Sequence, residues 1–163
     1  TGKKGLIDDN LDAGNDAWKE FEALTDRRPD NWDTDQDGMP DWWEKLAGTN
    51  PSAADNNELT DGEYTQLERY LNWLAEPHFI TSAGNKLTID LKQYFAGYNQ
   101  QPVFTLESSI QPQEGKMKLN KKGILTISLN KKAADCLIDI KVKATDKDQV
   151  ASLQRTFHIA ITQ

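Results

Sequence analysis

The stretch Cys136-Leu137-Ile138-Asp139-Ile140-Lys141-Val142-Lys143-Ala144 decides the fold. Cys136, Ile138, Ile140, Val142 and Ala144 fall on one side of an extended chain, and Leu137, Asp139, Lys141 and Lys143 on the other. A period of two with one apolar side belongs to an antiparallel strand with one face buried. The pattern recurs at Leu87, Ile89 and Leu91, at Leu125, Ile127 and Leu129, and at Leu153, Phe157, Ile159 and Ile161. Several such strands within residues 78–163 predict an antiparallel β-sandwich. Asn120-Lys121-Lys122-Gly123 supplies turn residues for a hairpin between Met117–Leu119 and Ile124–Leu129.

Upstream of residue 78 the pattern changes from strands to short helices. Residues 40–47 predict a helix with Pro40 at its first position, Gly48 just past its end, and Trp43 and Leu46 on one side. Residues 64–75 predict another, with Leu67, Leu71 and Leu74 on its apolar face beside Tyr70. Pro77 ends it, and Ala75-Glu76-Pro77-His78 reads as the boundary between two units, 1–77 and 78–163. Charge supports the division: residues 1–77 carry −12 and residues 78–163 carry +5, and all five tryptophans lie in the acidic part. Residues 1–30 are polar and read as the tail of a preceding domain or a linker, with a short helix over Asp16–Leu24.

The acidic unit contains one chemically specific pattern. Asp33-Thr34-Asp35-Gln36-Asp37-Gly38-Met39-Pro40-Asp41-Trp42-Trp43-Glu44 places carboxylates at loop positions 1, 3, 5, 9 and 12 and glycine at 6. Calcium is a hard cation that takes six to eight oxygens at about 2.3–2.6 Å. A tightly wound loop turns Asp33, Asp35 and Asp37 toward a common centre, and Gly38 makes the sharp turn. Met39 then offers its backbone carbonyl, Asp41 binds directly or through water, and Glu44 closes the site one helical turn later. An acidic turn before a helix needs only one or two acids. Five at these positions repel one another unless a cation joins them.

A second, degenerate loop starts 24 residues later. Counting back from Glu68 gives Asn57 at position 1, Leu59 at 3, Asp61 at 5, Gly62 at 6, Glu63 at 7 and Thr65 at 9. Leu59 offers no side-chain oxygen, although Asp55 or Glu58 stands near enough in sequence to substitute. The alternatives are a second calcium held by Asn57, Asp61, Glu63, Thr65 and Glu68, or a metal-free twin that keeps the turn. One calcium is therefore expected, and a second remains open.

Other chemistries find little support. No run of eighteen apolar residues is present to span a membrane as a helix. The acidic unit would repel nucleic-acid phosphates. Cys136, the single cysteine, starts an apolar strand and reads as a small buried hydrophobe. His78 reads as packing at the boundary, and His158 falls on the polar side of its strand. No phosphate-binding loop, nucleophile elbow or zinc pattern occurs, and the acids follow calcium spacing rather than a glycosidase pair. Trp42 and Trp43 are adjacent on a helix and point about 100° apart, so one surface cannot fully bury both. The chain opens at Thr1-Gly2-Lys3-Lys4-Gly5 without a signal peptide, which fits a mature secreted protein or an excised fragment.

The calcium loop, then Asn50-Pro51, then Tyr64-Thr65-Gln66-Leu67-Glu68-Arg69-Tyr70-Leu71-Asn72 resembles the segment that follows the catalytic β-helix of secreted bacterial pectate-lyase-like proteins. Thr1-Gly2-Lys3-Lys4-Gly5-Leu6-Ile7-Asp8 is similar to the end of that lyase domain. The loop–helix duplication also resembles dockerins and thrombospondin type 3 repeats. Leu59 and the inserted Glu63 depart from the family pattern. Residues 78–163 resemble a cadherin-like or immunoglobulin-like module through Ile89-Asp90-Leu91, Tyr94-Phe95, Gly123-Ile124-Leu125, Val142-Lys143-Ala144-Thr145-Asp146 and Phe157-His158-Ile159-Ala160-Ile161. Asp146 and Asp148 have the look of cadherin calcium residues, but a polar hairpin turn explains them as well.

These resemblances imply a mainly β chain with a small α segment, a calcium-bound loop–helix repeat followed by an Ig-like/cadherin-like antiparallel β-sandwich. They imply a non-catalytic accessory region of a secreted, periplasmic or cell-surface polysaccharide lyase, with structural calcium. Its partners would be the adjacent catalytic domain and plant cell-wall polysaccharide. The alternatives are a carbohydrate-binding module using Phe79, Tyr94, Phe95, Tyr98, Phe104 or Phe157, and a dockerin-like protein-interaction unit.

Overall fold

A computed structural model describes residues 28–60, 62–98, 100–148 and 151–162. The helix expected over Asp16–Leu24 lies outside the described residues. The chain divides into two compact units, Thr1–Trp32 and Asp33–Gln163. Within the described end of the first, Trp32 N–H donates to the Pro29 carbonyl (2.9 Å), and the Arg28 guanidinium lies 3.7 Å from the centre of the Trp32 ring. Among the described residues, the second unit contains the loop, two short α-helices and seven strands. Position 77/78 is where helix gives way to strand within that unit.

The strands are β1 (His78–Ser82), β2 (Lys86–Asp90), β3 (Val103–Leu106), β4 (Gly115–Leu119), β5 (Ile124–Leu129), β6 (Cys136–Thr145) and β7 (Ser152–Thr162). They form a β-sandwich of a four-stranded sheet, β1-β7-β6-β3, and a three-stranded sheet, β2-β5-β4. The expected turn at Asn120–Gly123 joins β4 and β5, where Asn120 Oδ1 accepts from the N–H groups of Lys122 (2.8 Å) and Ile124 (3.0 Å). Gly123 has φ of 80°, a left-handed conformation that glycine adopts without steric cost. Asp146 likewise begins the β6–β7 turn, its N–H donating to the Ala151 carbonyl and its Oδ2 accepting from Ala151 N–H.

One pairing departs from the all-antiparallel expectation. β1 runs parallel to β7, with His78 opposite His158 and Ser82 opposite Thr162. In the constant-type immunoglobulin order the first strand joins the second, fifth and fourth. Here it leaves that sheet and covers the edge of β7.

The alternation read from sequence gives the inter-sheet core. Ile89, Leu125 and Ile127 from one sheet meet Ile140, Val142, Phe157, Ile159 and Ile161 from the other, all at most 2% exposed. Each such side chain contributes about 1.5–3 kcal/mol by leaving water. Cys136 lies half-buried at the start of β6, and burial, then Glu114 and Asp135, push its thiol pKa upward.

The outer face of the four-stranded sheet is partly covered too. Helix α1 (Asp41–Ala47) and helix α2 (Gln66–Ala75) place Met39, Trp43, Tyr70 and Trp73 in one cluster with Ala160 and Leu137, which are register partners on β7 and β6. Ile159, Ala160 and Ile161 are consequently all fully buried, as strands covered on both faces are. His158 and Asp139, two register steps along, form a 2.6 Å contact on this face. His78 packs against Trp73, with ring centres 4.2 Å apart.

The apolar face of α2 differs from the expected one. Tyr70 and Trp73 are buried with Leu67 beside them, whereas Leu71 and Leu74 are 51% and 42% exposed. The large rings at positions 70 and 73 stack (6.5 Å) and fill more of the sheet surface than leucines would, which turns the helix toward them. No helix among the described residues is long and apolar enough to cross a membrane.

This rotation is measurable. Trp73→Ala is expected to destabilise the chain by about 3–5 kcal/mol in denaturant unfolding. Leu71→Ala, on the exposed side, is expected to change stability by about 0.5 kcal/mol or less. Equal effects would mean that the helix buries its leucine stripe.

Candidate metal centre

Loop Asp33–Glu44 winds tightly because short polar side chains satisfy its own backbone. Asp33 accepts from the N–H groups of Asp37 (Oδ1, 3.2 Å) and Gly38 (Oδ2, 3.0 Å). Asp35 Oδ1 accepts from Asp37 N–H (3.3 Å), and Asp37 Oδ1 from Met39 N–H (2.9 Å). Gly38 sits at φ 97°, and Gln36 also adopts a positive φ of 61°. Pro40 precedes α1 as its N-cap, one residue earlier than expected, and Gly48 closes the helix in the left-handed conformation with its N–H on the Glu44 carbonyl (2.8 Å).

Two groups of carboxylates result, each with oxygens within 4.8 Å of one another. One is Asp33, Asp35 and Asp37, and the other is Asp37, Glu44 and Asp55. Glu44 is fully buried. Its Oε1 accepts weakly from the Thr49 hydroxyl (3.4 Å), while Oε2 has no hydrogen-bond partner. Asp35 Oδ2 and Asp55 Oδ1 are also buried without partners. Burial, and then the charges of Asp35, Asp37, Asp55 and Asp41, push the Glu44 carboxyl up to about 7. Burial and its acidic neighbours raise Asp35 as well.

Asp41 and Met39 occupy different positions. Both Asp41 oxygens accept from Thr34, Oδ1 from the N–H and Oδ2 from the hydroxyl, each at 2.8 Å. These bonds lower its pKa, and it joins neither carboxylate group. The Met39 side chain is fully buried in the helix–sheet cluster, which anchors the loop floor to β6 and β7.

The second loop is engaged elsewhere. Thr65 and Glu68 form a reciprocal capping box at the start of α2: Glu68 N–H donates to Thr65 Oγ1 (3.2 Å), and Glu68 Oε2 accepts from Thr65 N–H (2.8 Å). Those bonds lower the Glu68 pKa. Asn57 is exposed and donates to Asn56 Oδ1, Glu63 is exposed at φ 69°, and Leu59 bridges to Thr65. Asp61 lies outside the described residues. None of the described acids of this loop joins a carboxylate group.

Spacing in the sequence offered Asp55 only as a stand-in for Leu59 beside the second loop, whereas the structure groups it with Asp37 and Glu44 of the first. The following residue explains its position. Asn56 N–H donates to Asp37 Oδ2 (3.1 Å) and Asn56 Nδ2 to the Asp37 carbonyl (2.9 Å), so the segment after Asn50-Pro51 is folded onto the first loop.

The donor set consists of oxygens alone and includes more than two carboxylates. That chemistry suits a hard cation that accepts many oxygens, which favours calcium over magnesium, a smaller ion usually bound through one or two carboxylates. The protein is thus a β-sandwich carrying an oxygen-lined acidic loop on its outer face. No family model and no curated protein matches the sequence. Among solved structures, the M3 domain of titin is similar at 10% identity over 54% of this chain and 90% of that domain, with a TM-score of 0.33. A nucleoside hydrolase-related hypothetical protein from Saccharophagus degradans, associated with carbohydrate metabolism, is similar at 13% identity over 53% of this chain and 22% of that one, with a TM-score of 0.32. Likenesses at this level carry no argument about function.

The raised Glu44 pKa has a signed consequence for metal-free protein. Between its ordinary 4.5 and about 7, folded Glu44 holds a proton that the unfolded chain has released. Stability in chelator is therefore expected to fall as pH rises through that window, by on the order of 3 kcal/mol, and then to level off. Glu44→Gln is expected to flatten this part of the profile in urea unfolding. Parallel profiles for the two proteins would assign the dependence to other groups.

Proposed function

We propose that Asp33, Asp35, Asp37 and Glu44 bind one structural calcium ion, and that the chain is a non-catalytic, calcium-stabilised accessory region of a secreted or cell-surface polysaccharide-lyase-like protein. The observation that carries the metal reading is the Glu44 side chain, fully buried, with one oxygen unpartnered, facing an acidic cluster. A buried carboxylate without a counter-charge is costly, and a divalent cation removes that cost. The Met39 carbonyl would complete the loop's donors in the EF-hand manner. No chemistry on a substrate is asked of the ion.

The accessory role rests on the resemblance of residues 1–77 to the region following a pectate-lyase β-helix. Adjacent catalytic domain and cell-wall polysaccharide are its proposed partners. The carbohydrate-module alternative gains nothing from the aromatic residues, since Phe79, Tyr94, Phe95, Tyr98, Phe104 and Phe157 all pack into the inter-sheet core. Trp43 is likewise buried, and Trp42 lies edge-on to Trp73 at 5.7 Å.

Calcium that binds only the folded state adds about 2.7 kcal/mol at a hundredfold excess over its dissociation constant. Extracellular modules bind it at roughly 10⁻⁴–10⁻³ M. Thermal unfolding of the 163-residue chain is therefore expected to shift upward by several degrees between chelator and 10-fold-stepped calcium up to about 10 mM, with much less effect from magnesium. Superimposable melting curves with and without calcium would remove the structural-ion reading.

A further inference from the structure

Asp55 lies outside the twelve-residue loop, eleven positions beyond Glu44. We propose that its carboxylate is a ligand of the same cation, in the role that loop spacing gives to Asp41, so that the ion staples the Asn50–Asn56 segment to the loop. This inference rests on the calcium reading above.

Three observations carry it. First, Asp55 brings an oxygen within 4.8 Å of oxygens from both Asp37 and Glu44. Two oxygens on opposite sides of one calcium, each bonded at about 2.4 Å, stand that far apart at most. Second, Asp55 and Glu44 each keep a buried oxygen with no hydrogen-bond partner. Asp55 Oδ2 accepts from Asn50 N–H (3.1 Å), which leaves Oδ1 buried and unpartnered, as is Oε2 of the fully buried Glu44. Two orphaned carboxylate oxygens in one group call for a shared positive charge. Third, the Asp41 carboxylate turns to Thr34 and joins neither group of converging carboxylates.

The segment is held in place independently of any ion. Asn56 donates twice to Asp37, and its own carbonyl accepts from Leu67 N–H (3.0 Å) in the first turn of α2. An ion on Asp55 would thus join three pieces of chain: the loop, the turn after Pro51, and the start of the helix that seats Trp73 on the sheet.

Calorimetric titration of CaCl₂ into the whole chain separates the outcomes, with wild type, Asp55→Asn, Asp55→Glu, Asp41→Asn and Asp35→Asn compared at one salt concentration. Wild type is expected to bind one equivalent. Asp55→Asn and Asp35→Asn are expected to weaken binding by roughly tenfold or more, because affinity at such sites follows the count of charged ligands. Asp55→Glu, which keeps the charge but displaces the oxygens by a methylene, is expected to weaken it as well. Asp41→Asn should stay within about threefold of wild type by the same ligand count. In chelator Asp55→Asn should melt no lower than wild type, since it removes a like charge beside Glu44. Wild-type affinity in Asp55→Asn, or a large loss in Asp41→Asn instead, overturns the inference while leaving the calcium reading intact. Two equivalents in wild type falling to one in Asp55→Asn overturns the shared ion. No binding by wild type overturns the calcium reading and this inference with it.

Discussion

Much of the loop–helix segment depends on the placement of two neighbouring side chains. Trp43 and Glu44 are consecutive on α1 and are both fully buried, on different sides. Trp43 enters the cluster over Ala160, and Glu44 enters the ring of Asp35, Asp37 and Asp55. A seven-residue helix has little stability of its own. It is held by tertiary contacts at both faces, one apolar, against Ala160, and one where carboxylates converge without a counter-charge. The acidic face is a strained arrangement until a proton or a cation enters it. Hence the state of one carboxylate bears on how firmly the loop can sit on the sheet.

The sandwich accommodates this segment by giving up an outer-face strand pattern at one place. Ala160 interrupts an otherwise alternating β7 and leaves a shallow seat between Leu137 and the helices. A larger side chain there would push Trp43 and Trp73 away, and with them Met39 and the floor of the loop. The polar residues next along this face are register partners on β6 and β7. His158 and Asp139 pair across the two strands, and the hydrogen bond from His158 holds the Asp139 pKa down. Arg69 reaches across to the Ala47 carbonyl at the end of α1 (3.2 Å), a cation at a helix C-terminus, which ties the two helices together.

Features that depend on local periodicity were legible in the sequence. Alternation around Ile140, Ile127 and Ile159 marked the core strands, and Asn120–Gly123 marked its turn, because both signals are contained within a few residues. The spacing of Asp33, Asp35, Asp37 and Glu44 was readable for the same reason. What was not legible involves choices between surfaces. The leucine pattern of α2 gives a good apolar face, yet Tyr70 and Trp73 bury more area and win the rotation. Nothing local distinguishes a first strand that pairs in parallel with β7 from one that joins β2. Asp55 is one acid among many, and its position follows from a hydrogen-bonded return of the chain through Asn56, 19 residues from Asp37.

The two halves of the loop–helix duplication therefore diverge in how they use the same kind of residue. In the first, the acid at position 12 is buried and one of its oxygens has no hydrogen-bond partner. In the second, Glu68 is exposed and turns back to Thr65, so its charge caps a helix. The difference follows from position 3. Asp35 continues the ring of oxygens around the loop axis, whereas Leu59 cannot, and a lone glutamate in an open turn gains more from two backbone-anchored hydrogen bonds than from an incomplete oxygen ring. With its capping role settled, the second half still serves the first: its entry segment carries Asp55 and Asn56, and its helix carries Tyr70 and Trp73. The duplication thus reads as one charged centre and the support that holds it, rather than as two equivalent sites.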